Sequence, residues 1–473
     1  MVARRTFIAG SATAGAVAVL GTAAYSSAAE PDGTRSSTAP VQSATAITEV
    51  FGDGQKLIAV AVEYDQDIDT SSLTTSTFAV TDRTVTKVYA NTAAELAERG
   101  RDGRYVMVEL SADDEAAALW VTQQGSGGGA SASASASASA SSSPSPSASA
   151  SSGTGESPGG GGPSVGDSTP GGTIVAAKAT LVQKGTVTTA RGGRYTADGT
   201  TLTTSKVVNL IVDDFQQFTF DDPATGQTLK YNLFVPRNYD PRKQYPLVLF
   251  MHDASVVNVA TEGALVQGLG AVCWASEEDQ AKHESFVLAP EYGSVVVDDN
   301  YEPSTLFDAT VHLVEAVTQK YSIDENRRYA TGQSMGAMMS LGLNIKYPDV
   351  FAAAFVVAGQ WPSDVAAPLA DKKLWIVVSQ DDDKSYSGEN AITKVIKDAG
   401  TKVGTAVWDG QSTAAQFATD VRSLEKQKAP VNYASFQAGT TVTSGSGTSA
   451  HMGTWHIAYT IPGIRDWIMR QSR

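Results

Sequence analysis

Between residues 44 and 119 the apolar positions fall in short runs, ITEVFG, LIAVAVEY, FAVTD, VTKVYA and YVMVEL, separated by turn residues. They lack the three-to-four spacing of an amphipathic helix, so the pattern predicts strands of an all-β sandwich. Two further runs of the same kind, ATLVQKGTVTTA and VVNLIVDDF, follow after a gap. In that gap, from Gln124 to Thr173, the chain reduces to Gly, Ser, Ala and Pro, with Ser and Ala alternating from Ala130 to Ala140. Such a stretch buries too little apolar surface to offset its ordering entropy and reads as a flexible tether. Neither flank alone has a comfortable strand count. Residues 44–212 are therefore expected to form one immunoglobulin-like β domain, interrupted by the Gly/Ser/Ala insertion 125–172.

From about Phe215 the pattern changes to strands alternating with helical stretches, the mark of a mainly parallel sheet covered by helices on both faces. A hairpin, QFTFDDPATGQTLKYNLFVP, turns at Pro223 to Gly226. Then come YPLVLFMH, SFVLAPE, RRYATGQ, FAAAFVVAG, LWIVVSQ and VNYASFQAG as successive strands. Helices are predicted over 306–320, 337–347, 391–399 and 414–426, with a closing helix over 459–470. Residues 215–473 are thus expected to be an α/β-hydrolase domain.

The amino terminus reads as an address. Arg4-Arg5-Thr6-Phe7-Ile8 resembles a twin-arginine export signal, and no charged residue lies between Thr6 and Ala29. Residues 1–29 are the expected signal, with cleavage after Ser27-Ala28-Ala29, and an uncleaved membrane anchor is the alternative. The protein is then secreted, free or associated with the cell surface, with no integral membrane domain after cleavage. A formal charge of -15 repels phosphates and argues against nucleic-acid or anionic-membrane partners. Cys273 is the single cysteine, so neither an intrachain disulfide nor a thiolate metal site can be built, and the histidines lack zinc-helix spacing. No metal and no cofactor are expected.

Within YATGQSMGAMMS lies Gly332-Gln333-Ser334-Met335-Gly336, the spacing of a serine nucleophile elbow. The same spacing recurs around Ser157 and Ser164, but inside the tether, where nothing holds a base within reach. Ser334 alone has a strand before it and a helix after it. A hydroxyl needs a histidine base, and the imidazole needs an acid to fix its tautomer. LWIVVSQ runs into Asp381-Asp382-Asp383, any one of which would serve. Downstream histidines are His451, at the end of a Gly/Ser/Thr-rich loop, and His456, where a helix begins; the loop position favours His451. His252, in FMHDAS, precedes the nucleophile by two strands, and its loop is expected to supply an oxyanion N–H from Asp253 or Ala254, alongside that of Met335. His312 reads as a covered helical residue and His283 as an exposed one. Trp361, Tyr386 and Trp455 lie beside strand ends and are candidates to line the substrate pocket, or to pack in the core.

Taken together, LKYNLFVPRNYDPRKQYPLVLFMHDAS, FVLAPEY, YATGQSMGAMMSLGLNIKYPDVFAAAFVVAGQW, LWIVVSQDDDKSY and HMGTWHIAYTIPGIRDWI resemble exported esterases with an N-terminal immunoglobulin-like domain. These are similar to the polyhydroxybutyrate-depolymerase and feruloyl-esterase-like α/β hydrolases. The resemblance implies Ser334 as nucleophile, His451 as base and Asp382 as the acid, with Asp381 as its rival because relatives often carry Gly there. It implies a secreted serine esterase acting through an acyl-enzyme on small-molecule or polymeric esters, with oligomer formation through the immunoglobulin-like domain left open. A serine peptidase on the same fold and a non-catalytic surface-binding protein are the alternatives.

Overall fold

The computed structural model describes residues 40–122, 171–442 and 448–473. The expected export signal, the motifs around Ser157 and Ser164, nearly all of the 125–172 insertion and part of the loop before His451 lie outside them.

The amino-terminal strands are β1 (Val41–Phe51), β2 (Gly54–Ile68), β3 (Phe78–Val80), β4 (Val85–Asn91), β5 (Gly103–Leu110) and β6 (Trp120–Thr122). On the far side of the insertion come β7 (Gly172–Ile174), β8 (Thr180–Gln183), β9 (Val187–Thr188), β10 (Arg194–Tyr195), β11 (Thr201–Thr203) and β12 (Lys206–Asn209). Strands from the two sides pair with one another. β12 runs parallel to β1, β8 pairs with β3, and β7 pairs with β6. The result is a five-stranded sheet, β12-β1-β2-β5-β4, facing a three-stranded one, β11-β8-β3. Alternation along the central strand β2 explains the stacking: Val60, Val62 and Tyr64 point into the core shared with Phe78 and Leu181. Ala59 and Ala61, one residue out of phase, join Ile47, Tyr89 and Met107 on the other face.

The second domain is built on β13 (Gln216–Asp222), β14 (Gln227–Phe234), β15 (Tyr245–Met251), β16 (Phe286–Glu291), β17 (Ile323–Gln333), β18 (Ala353–Val357), β19 (Leu374–Ser379), β20 (Val403–Trp408) and β21 (Val431–Phe436). Their order is β13-β14-β16-β15-β17-β18-β19-β21-β20. The β13–β14 hairpin is antiparallel to β16, and every later pairing is parallel. The central strands are apolar throughout because both faces are covered. Leu247, Leu249, Ile376 and Val378 face one helical layer, while Val248, Phe250, Trp375 and Val377 face the other.

Helices among the described residues are α1 (Gly263–Val266), α2 (Leu269–Val272), α3 (Glu277–Lys282), α4 (Leu306–Lys320), α5 (Met335–Lys346), α6 (Asp383–Asp398), α7 (Ala414–Glu425), α8 (Ala450–Ala458) and α9 (Pro462–Met469). Two differ from the sequence expectation in ways that matter for the site. Helix α6 starts at Asp383 rather than Ala391, because Asp382 caps it, its side chain accepting the Ser385 N–H. The closing helix is two: Ser449 caps α8, which already contains both His451 and His456, and Pro462 opens α9.

The two domains press together at the β1–β2 turn. A Cβ on Gly52 would lie 2.1 Å from the His456 carbonyl oxygen, so only glycine lets the hairpin rest on α8. Trp120 of β6 packs into the same apolar cluster as Trp455 and Tyr459 of the second domain.

Candidate active site

The elbow forms at the carboxyl end of β17, where the chain reverses into α5. Gly332 and Gly336 permit it: a Cβ on Gly332 would come within 2.5 Å of Gly336, and one on Gly336 within 1.9 Å of the Met251 carbonyl oxygen. Ser334 between them is held at φ 50°, ψ -117°, outside the regions that L residues favour. Such strain, of order 1–3 kcal/mol, persists only where the surroundings enforce it. Ser334 occupies the N-cap position of α5, yet its side chain makes no capping bond. The hydroxyl instead meets His451 Nε2 at 2.8 Å.

On its other side the imidazole reaches Asp382 Oδ2, 2.5 Å from Nδ1. With Nδ1–H donating to the carboxylate, Nε2 is left to accept the Ser334 hydroxyl proton. Asp382 is 8% exposed. Burial alone would raise its pKa, but the hydrogen bond and charge of His451 and the bonds from Ser385 outweigh this and hold the carboxyl below its ordinary pKa. Its neighbour Asp381 turns away and accepts the Gly439 N–H at 2.5 Å. Of the two acids, Asp382 is the one that bonds His451.

The remaining histidines are engaged elsewhere. His252 is fully buried; Tyr292 N–H donates to its Nε2 at 3.0 Å, so Nδ1 carries the proton and donates to the Asp253 carbonyl at 2.7 Å. Burial lowers its pKa, which keeps it neutral. His312 bonds Asp222 and His283 bonds Asp466. His283 is half-buried rather than exposed. His456 lies on α8 one turn beyond His451, and burial lowers its pKa to about 4.

The loop after β15 abuts the elbow, since Gly336 touches Met251 and His252. Ala254 opens a short 3-10 turn, Ala254–Val256, capped by Asp253, whose Oδ1 accepts the Ser255 N–H at 2.8 Å. Asp253 Oδ2 accepts from Gln333 Nε2 at 2.8 Å, which latches this loop to the residue before the serine. Met335 and Ala254 are each the first residue of a helix, so their N–H groups find no carbonyl one turn back.

Of the expected pocket residues, Trp455 stands edge-on to the His451 ring at 5.0 Å. Trp361 is core: it stacks on Phe307, meets Tyr301 edge-on and fills the space over Gly342. Tyr386 lies in the first turn of α6, its N–H donating to the Asp382 carbonyl, and packs against the same core. Sequence reasoning missed Gln333, Gln267 and Glu389. Glu389 is wholly buried, burial raises its pKa well above the carboxylate range, and Oε1 accepts the Gly359 N–H at 3.2 Å. Gly359 in turn packs on Ala337 of the elbow helix. No local pattern marks these three, because each acts across strands. One cavity, about 550 Å³ and lined by Arg237, Lys243, His283 and Arg327, lies at the opposite, amino edge of the sheet. Another, about 190 Å³, adjoins Trp455.

Comparison with known proteins agrees with this architecture. Residues 43–196 match the family described as "Esterase Ig-like N-terminal domain", and residues 223–456 match "Putative esterase". The chain is 30% identical over 131 residues to "Probable feruloyl esterase C" of Aspergillus terreus, covering 28% of this chain and 46% of that one. The protein of the same description from Aspergillus flavus is 29% identical over 131 residues. The chain thus spans about half the length of these curated relatives. The crystal structure of a thermostable esterase superposes with a TM-score of 0.72 at 26% identity, covering 92% of this chain and 100% of that one. A β sandwich matching the first family, followed by an α/β-hydrolase sheet matching the second, makes the chain a member of the esterases that carry an immunoglobulin-like N-terminal domain.

Proposed function

We propose that the protein is a serine esterase that hydrolyses carboxylic esters through an acyl-enzyme. The observation that carries this reading is the imidazole of His451, bonded on one side to Asp382 and on the other to Ser334. His451 Nε2 takes the hydroxyl proton as Ser334 Oγ attacks the ester carbon, and Asp382 stabilises the imidazolium that forms. The tetrahedral oxyanion is met by the N–H groups of Met335 and Ala254, with that of Asp253 as the alternative on the same loop. When the C–O bond breaks, His451 returns the proton to the departing alcohol. Water, deprotonated by the same imidazole, then releases the acid and restores Ser334.

An amide would pass through the same steps, so esters and amides must be compared directly. The purified protein is expected to cleave p-nitrophenyl acyl esters and to leave peptide anilides intact, with Ser334→Ala removing the ester activity. Preference for the anilides would make it a peptidase, and retained turnover in Ser334→Ala would overturn the assignment. We also read residues 1–29 as a twin-arginine export signal that places the enzyme outside the cytoplasm. Among the described residues no helix is long and apolar enough to cross a membrane.

A further inference from the structure

The cavity of about 190 Å³ beside Trp455 is walled by both domains. From the immunoglobulin-like domain come Asp53 and Trp120, and from the second domain Asp253, Gln267, Trp455 and His456. Its volume is several times the ~30 Å³ that one molecule occupies in liquid water. Only one ring separates it from the reaction centre, because Trp455 touches the His451 imidazole. Trp120 is 7% exposed and sits over Gly54 and Gly172, where any Cβ would strike its ring or its own Cβ.

The polar end of the cavity is incomplete. Gln267 is 3% exposed, and its Oε1 accepts from Gln333 Nε2 at 3.2 Å. Its Nε2, buried from solvent, has no partner. A buried amide donor left in this state costs about 1–3 kcal/mol, an expense that a ligand oxygen would remove. Beside it the Asp253 carboxylate already accepts from Ser255 and Gln333 and keeps capacity for one more donor. No lysine or arginine lines the cavity, and burial keeps His456 neutral down to about pH 4.

We propose that this junction is a substrate subsite for an uncharged, hydroxyl-bearing group of the ester, held between the indoles of Trp120 and Trp455, with Gln267 Nε2 and Asp253 binding the hydroxyl. A hydroxyl both accepts from the amide and donates to the carboxylate, so one group completes both. Asp53 is already paired with Lys56 at 2.8 Å, so an anion in the cavity meets the Asp253 carboxylate with no lining lysine or arginine to offset it. An ammonium group satisfies the carboxylate but leaves the amide donor unpaired. The immunoglobulin-like domain is then part of the binding site. This inference rests on the reading of Ser334 as the ester-cleaving nucleophile.

The test compares kcat/KM on paired substrates in the full-length enzyme. On the acyl side the pair is the p-nitrophenyl ester of 3-hydroxybutyrate against that of butyrate; on the alcohol side it is glyceryl monobutyrate against ethyl butyrate. The wild type is expected to favour the hydroxylated member of one pair at least tenfold, which also tells which half of the ester occupies the subsite. Trp120→Ala and Gln267→Leu are each expected to cut that preference at least fivefold, chiefly through KM. Trp120→Phe, which keeps most of the packing, should retain more than Trp120→Ala if the latter folds poorly. Equal losses on both members of each pair, no preference in the wild type, or a stronger preference for an amino-substituted ester would overturn the subsite. Failure of the underlying reading shows separately, as p-nitrophenyl butyrate turnover that survives Ser334→Ala.

Discussion

Replacing Gly336 by alanine tests whether the elbow is as tightly constrained as its geometry says. The new Cβ would lie 1.9 Å from the Met251 carbonyl oxygen and 3.1 Å from that of His252, where real contacts under 3.0 Å essentially never occur. Both obstacles are backbone, so no side chain can swing aside. The turn and the end of β15 must part by about 1 Å, carrying Ser334 with them. A displacement of that size costs on the order of 10²-fold in turnover, and overpacking costs roughly 1–3 kcal/mol of stability. For a domain of this size that is a fall in Tm of roughly 2–12 °C. The assay is turnover of a p-nitrophenyl ester together with thermal unfolding. Gly293→Ala serves as control, since a Cβ there meets nothing within 4 Å. A Gly336→Ala enzyme with near-normal turnover and Tm would refute the reasoning.

Three further outcomes follow from the site. His451→Ala is expected to lower kcat by several orders of magnitude with folding intact by circular dichroism, whereas His456→Ala should cost stability and little rate; the reverse would transfer the base to His456. His456 titrates at about 4 in the folded protein against 6.5 unfolded, because burial penalises the imidazolium. Below about 6.5 the unfolded chain therefore binds a proton that the native state refuses. Its contribution is fully present above that pH and is lost as pH falls toward 4, by at most about 3 kcal/mol, since His456 keeps part of its surface in water. Urea midpoints at pH 7 and pH 5 should converge in His456→Gln, and an unchanged gap contradicts this. Glu389→Gln should preserve activity because the amide oxygen still accepts the Gly359 N–H, while Glu389→Ala should lose about 1–3 kcal/mol of stability in urea unfolding. Equal behaviour of the two variants would remove the hydrogen bond from the account.

Much of this was legible in the chain because the chemistry depends on local turns and on order. The elbow glycines around Ser334 and the strand LWIVVSQ before the acids are written in spacing, as is a histidine close to the carboxyl end. Asp381 and Asp382 could not be separated by spacing, since adjacent residues share it; capping separates them, with Asp382 capping the start of α6 while Asp381 faces Gly439. His451 reads as a loop residue because SGSGTS precedes it, yet Ser449 starts the helix there, and a histidine in the first turn is aimed as firmly as one in a loop. Strand β20, half-exposed at the sheet edge, lacks the continuous apolar run that marks its neighbours. The junction of the domains was invisible, because Gly52, Trp120, Gln267 and His456 are brought together only by tertiary packing.

The central claim is that Ser334 is the nucleophile. The most direct measurement is treatment of the active full-length enzyme with a fluorophosphonate, followed by peptide mapping by mass spectrometry. The account predicts one adduct per chain, on Ser334, appearing in step with loss of esterase activity and absent from His451→Ala. An adduct on another serine that tracks inactivation, or full inactivation with Ser334 unmodified, would contradict it.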